Sequence, residues 1–141
     1  MKEALIVCLV VALGAASAEV PGGQGNGQPL KYINSCEIDL NGDSESDVAL
    51  LVETVRGREL IVLLKAAAGY SAFVLATDKP SMYLSCHLGK TVTETVAGLG
   101  HKTMGKVYPT PGAYLELSEP EGARLAFFWN GTGFQEVWTA D

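Results

Sequence analysis

From Tyr32 onward the apolar residues fall in short blocks between Gly, Pro, Asn and Asp, and almost no stretch keeps the 3.6-residue spacing of an amphipathic helix. The blocks are rich in β-branched and aromatic residues, which predicts mostly β structure. Strands are expected at YINSCEID (Tyr32 to Asp39), DVALLVETV (Asp47 to Val55), ELIVLLK (Glu59 to Lys65) and YSAFVLA (Tyr70 to Ala76). Arg56-Gly57-Arg58 reads as a three-residue hairpin loop with glycine available for a left-handed position. Short connections of this kind favour a meander. Glu59 to Lys65 is apolar at every internal position, so both its faces should be covered, as in a central strand of a two-layer structure.

Further on, MYLSCHL (Met82 to Leu88) and KTVTETV (Lys90 to Val96) read as strands, the second with the Thr/Val alternation of a half-exposed edge. Ala97 to Lys106 reads as a loop. The tail resumes the pattern with AYLELS, ARLAFFW and FQEVWT, separated by EPEG and by Asn130-Gly131-Thr132-Gly133, both credible turns. The expected fold is therefore mainly β: an antiparallel meander arranged as a two-layer sandwich-like or partial propeller-like single domain over residues 31–141.

The first residues change the expected compartment. A charged start, an apolar run from Ala4 to about Ala16 and small residues around Ala18 read as a signal peptide over residues 1–18. The run is shorter than the roughly 18 to 20 apolar residues of a membrane span, so no span is expected after cleavage. Residues 19–30, with VPGGQGNGQP, form a flexible Gly/Pro-rich leader. Cleavage removes Cys8 and leaves Cys36 and Cys86, which most simply pair in an oxidising compartment, either periplasmic or extracellular. Neither lies in a C-x-x-C pair, so zinc and thioredoxin-like chemistry have no support.

The net charge of −6 and scattered basic residues argue against nucleic acid and anionic lipid as partners, but suit a cation. DLNGDSESD offers one a place. Counting Asp39 as the first position, oxygen-bearing side chains fall at the first (Asp39), third (Asn41), fifth (Asp43) and ninth (Asp47), with Glu45 at the seventh offering its carbonyl. Calcium takes six to eight oxygens at roughly 2.3 to 2.6 Å, and alternate residues of a curled loop can supply them. An EF-hand also needs Gly at the sixth position and Glu at the twelfth, where this chain has Ser44 and Leu50. What DLNGDSESDVALLV does resemble is the calcium loop of FG-GAP or VCBS-type repeats, D-x-[D/N]-x-D-G-x-x-D followed by an apolar strand. The tail LAFFWNGTGFQEVWTAD is similar to the closing hairpin of small secreted bacterial proteins that carry such a loop. The resemblance implies calcium held by Asp39, Asn41, Asp43, Glu45 and Asp47. It covers a single copy, with Ser44 in place of the usual Gly, a substitution that strains a positive φ angle.

Other candidates are weaker. His87 and His101 lack metal or catalytic spacing, and no nucleophile elbow or phosphate-binding glycine loop is present. Asn130-Gly131-Thr132 fits a glycosylation acceptor, though a tight turn explains it better. Trp129, Phe134 and Trp138 fall close together in a hairpin and form a possible ligand platform. The chain is thus expected to be a monomeric, non-enzymatic, calcium-stabilised accessory or interaction domain that engages a protein or envelope partner. The alternative is a periplasmic binding or inhibitor protein whose acidic loop is only a turn.

Overall fold

The computed structural model describes residues 30–77, 81–95, 105–120 and 122–140. The expected signal peptide, all of the leader except Leu30, Cys8, His101 and most of the loop expected from Ala97 lie outside them. Eight strands follow in order: β1 (Lys31–Ile38), β2 (Asp47–Thr54), β3 (Gly57–Ala66), β4 (Gly69–Ala76), β5 (Tyr83–Thr93), β6 (Val107–Ser118), β7 (Arg124–Trp129) and β8 (Phe134–Ala140). They form two four-stranded antiparallel meanders, β1-β2-β3-β4 and β5-β6-β7-β8. No helix among the described residues is long and apolar enough to cross a membrane.

Strand alternation builds the core. Ala49 and Leu51 of β2 and Leu60, Val62 and Leu64 of β3 face Leu84 of β5, Ala113, Leu115 and Leu117 of β6, and Leu125 and Phe127 of β7 in one buried cluster. Burying apolar side chains between two sheets is the main favourable term in such a fold. Leu40 joins this cluster with no exposed surface, although it lies in the acidic loop. The opposite face of the first sheet is apolar too: Leu50, Val52 and Leu63 form a second cluster with Val48 and Ile61. The expectation for β3 holds in that it is an internal strand, between β2 and β4.

The edges β1 and β5 are stitched together. Cys36 and Cys86 form the expected disulfide, and the Asn34 side-chain amide donates to the Leu84 carbonyl at 2.9 Å. At the opposite side, Phe73 of β4 meets Trp129 and Phe134 of the second sheet edge to face, with centroids 6.0 and 5.4 Å apart.

Two boundaries differ from expectation. β5 runs unbroken from Tyr83 to Thr93 through Gly89, where the register shifts, instead of stopping before Lys90. β6 starts at Val107, six residues before the expected Ala113, and contains Pro109 and Pro111. Prolines fit there because β7 pairs with β6 only from Leu115 to Ser118, so the earlier half of β6 has a sheet partner on one side alone. That half bends away with β5. Val92 and Tyr108 pack onto Ala126, Phe128 and Val137, the outer side of β7 and β8, and make a third small cluster. The Thr95 amide then donates to the Trp138 carbonyl at 2.6 Å, which covers part of the β8 edge. The first hairpin turn is also tighter than expected: Thr54 pairs with Gly57 around Val55-Arg56, and Gly57 has φ of 120°.

Candidate functional site

The acidic loop joins β1 to β2, and backbone amides organise it. Asp39 accepts from Gly42 N at 2.7 Å and Ser44 N at 2.9 Å, one on each oxygen. The Asn41 side chain accepts from Asp43 N, and Asp43 accepts from Glu45 N, so the polar residues each fold the chain one step onward. Gly42 and Ser44 take φ of 79° and 72°. Ser44 therefore holds the left-handed conformation at the position where calcium loops of the resembling kind carry Gly, at a cost of about 1 kcal/mol for a residue with a Cβ. Gly42 leans on the second sheet, since a Cβ there would sit 3.0 Å from Cβ of Pro111.

Asp47 is set differently from the rest. It has no exposed surface, and its two oxygens accept from Leu40 N and from Lys65 N, each at 2.8 Å. One carboxylate thus fastens the start of the loop and the end of β3 to the start of β2. Burial pushes its carboxyl above the ordinary range, the Leu40 and Lys65 amides pull it back, and Asp43 and Asp39 add to the rise. Glu45 points the other way and pairs with the Lys65 ammonium, which this hydrogen bond holds above its ordinary pKa.

Calcium can be tested against this arrangement. Asp39, Asn41 and Asp43 each fold the loop backbone, and their oxygens are engaged by its amides. Among the described residues no three His, Cys, Asp or Glu side chains come together as a metal-holding group. The carboxylates of Asp39 and Asp47 are aimed at amides, and Glu45 at Lys65. Amide donors and Lys65 offset part of the mutual repulsion between these carboxylates, while Asp43 and Asp39 still raise Asp47.

His87 acquires partners that sequence spacing does not reveal. Pairing of β5 with β6 stacks its ring on Tyr114 at 5.0 Å and brings Glu116 Oε1 to 3.8 Å, while Ser85 Oγ, two residues back on β5, lies at 2.9 Å. Ser, His and Glu suggest a hydrolytic triad, but Ser85 and Glu116 both address Nε2. A triad needs the acid on the other ring nitrogen, where it fixes the tautomer of the base.

The proposed aromatic platform is divided. Trp129 and Phe134 lie 5.3 Å apart and pack with Phe73 against the core, whereas Trp138, on the same face of β8 as Phe134, is 44% exposed. An open cleft of about 490 Å³ lies beside Trp129, lined by Asn41, Tyr108, Thr110, Pro111, Asn130 and Gln135. Its polar groups are largely engaged: Thr110 donates to Gly89 O, Asn41 holds Asp43, and Asn130 Oδ1 accepts from Thr132 N and Gly133 N. These bonds shape the acidic loop, the β5–β6 hairpin and the β7–β8 turn. No family model, curated protein or solved structure matches the chain.

Proposed function

We propose that the chain is a non-enzymatic binding module of an extracytoplasmic compartment, in which the acidic loop is a hydrogen-bonded structural turn and the β4 side engages a partner. The observation that carries this reading is β4 itself, GYSAFVLA, an edge strand with no charged residue and with Val74 58% and Tyr70 40% exposed. Folded proteins usually protect a sheet edge with charge, proline or a covering segment, so an uncharged apolar edge marks a surface used for contact. The disulfide supports export, in line with the expected signal peptide. Pull-down from the native envelope with wild-type and Ala72→Lys bait, in calcium and in chelator, tests it. A species captured by wild type under both conditions, the untagged chain included, and lost with Ala72→Lys supports the reading. Capture that survives the substitution, or that requires calcium, contradicts it.

A second reading keeps the loop as a calcium site that stabilises an accessory domain, and Ser44 at φ 72° is the observation in its favour. Asp39, Asn41, Asp43 and Asp47 with the Glu45 carbonyl would hold the ion, which would cross-brace the loop. Thermal melting separates the two: a midpoint raised in excess calcium over excess chelator supports the ion, and equal midpoints support the turn.

A further inference from the structure

The four sheet edges are protected unequally. β1 carries Lys31 and Glu37, has a register shift after Tyr32 and is bridged to β5 by Cys36–Cys86. β5 carries Lys90 and its own register shift after Gly89. β8 carries Glu136, and Thr95 donates to its Trp138 carbonyl. β4 alone combines no charge, no proline and no described backbone partner beyond β3, with its register shift confined to the Leu75 end. From Gly69 to Val74 it is a regular strand with no partner on its other side among the described residues.

Its side chains are self-complementary. Pairing with β3 turns Ser71 and Phe73 inward, opposite Leu64 and Val62, and turns Tyr70, Ala72 and Val74 outward, opposite Lys65, Leu63 and Ile61. A two-fold axis through Ala72, with two β4 strands antiparallel, sets Ala72 against Ala72 and Tyr70 against Val74 of the second copy. Inward residues still meet inward ones, because the pairing preserves the side-chain alternation. The aromatic-to-β-branched pair this creates is a stabilising cross-strand combination. On that face Tyr70, Ala72 and Val74 continue the sheet beyond the cluster of Leu50, Val52 and Leu63, which is already buried within one copy.

Charge permits this occupant at β4 without selecting it. A chain of net charge −6 repels its own copy, and close approach is tolerated only where neither surface carries acid. β4 is such a strip. Beside it, β8 lies under β4 through the Phe73–Phe134 contact.

We infer that β4 pairs with β4 of a second copy about a two-fold axis at Ala72, joining two four-stranded sheets into one of eight. This rests on the reading of the β4 side as a binding surface and names its occupant. Isologous pairing closes on itself and yields a dimer, not a filament. Sedimentation velocity of the purified full chain, as the expressing cell delivers it, across a concentration series, tests it with two variants. Wild type is expected to reach twice the mass of one chain, Ala72→Val to do the same, and Ala72→Lys to weaken association about tenfold or more by setting like charges face to face. At concentrations low enough to leave each as a single chain, all three should melt alike, since residue 72 is exposed. A single-chain mass for wild type at every concentration, or dimerisation of Ala72→Lys equal to wild type, overturns the inference. If wild type stays single while envelope capture is still lost with Ala72→Lys, the binding surface stands and the second copy does not.

Discussion

The two sides of the sandwich are held by different means. Where β1 meets β5, a disulfide and the Asn34 amide connect the sheets, and the acidic loop above them rests on Pro111. Where β4 meets β8, Phe73, Trp129 and Phe134 pack edge to face, and no covalent or polar tie is seen among the described residues. The first side is specified by directional bonds that fix register and restrict the unfolded chain. The second is specified by shape alone and leaves a strand edge open. The covalent and directional ties are concentrated on one side, and the uncharged strand edge proposed for binding lies on the other.

Removing the stitch should have the largest effect. The disulfide closes a separation of 50 residues, and losing it in Cys36→Ser/Cys86→Ser is expected to cost about 4 kcal/mol by chain entropy, read from denaturant unfolding. Next comes Asp47→Ala, which strands two amides, Leu40 N and Lys65 N, at about 1 to 3 kcal/mol each before relaxation, so a loss of about 3 kcal/mol is expected. The same residue predicts a pH effect. Its carboxyl titrates above 3.8 in the folded chain, so the folded state holds the proton more tightly than the unfolded state. This contribution to stability is present below pH 3.8 and is lost as pH rises through the folded pKa. Asp47→Asn should remove that slope from a stability-against-pH series.

On the other side, Phe73→Ala removes the ring that joins β4 to Trp129 and Phe134. It is expected to cost about 2 kcal/mol, below the range of a fully buried Phe because Phe73 is only half-buried. A loss larger than that from the disulfide would reverse the contrast between the two sides. The smallest change is a gain: Ser44→Gly relieves a left-handed conformation worth about 1 kcal/mol, less the extra freedom glycine gives the unfolded chain, so a net gain of about 0.5 kcal/mol is expected as a slightly raised melting midpoint.

Much of the fold was legible because strand alternation and turn chemistry are local signals. The meander, the internal position of β3 and the Asn130 turn follow from residues close in sequence, and the Cys36–Cys86 pair follows from these being the two cysteines outside the expected signal peptide. What escaped depends on partners far along the chain. Pro109 and Pro111 argue against a strand unless β7 is known to end its pairing at Leu115. Leu40 looks like a loop residue until Asp47 is seen to hold its amide in the core. His87 finds Glu116 only through the β5–β6 register. The five oxygen-bearing residues of the loop were legible as a set, but their aim was not, because Lys65 and the amides that take up Glu45 and Asp47 come from β3 or from the loop's own backbone. The open edge was hidden for a similar reason, since GYSAFVLA reads like any buried strand until sheet order places it last.

Hydrogen exchange measured strand by strand at low and high protein concentration tests the contrast most directly. If β4 accepts a strand from another copy, amides from Tyr70 to Val74 should exchange more slowly as concentration rises, while those of β1, already stitched to its neighbour, stay unchanged. Exchange in β4 that is independent of concentration, or slowing confined to β1 and the acidic loop, would contradict it.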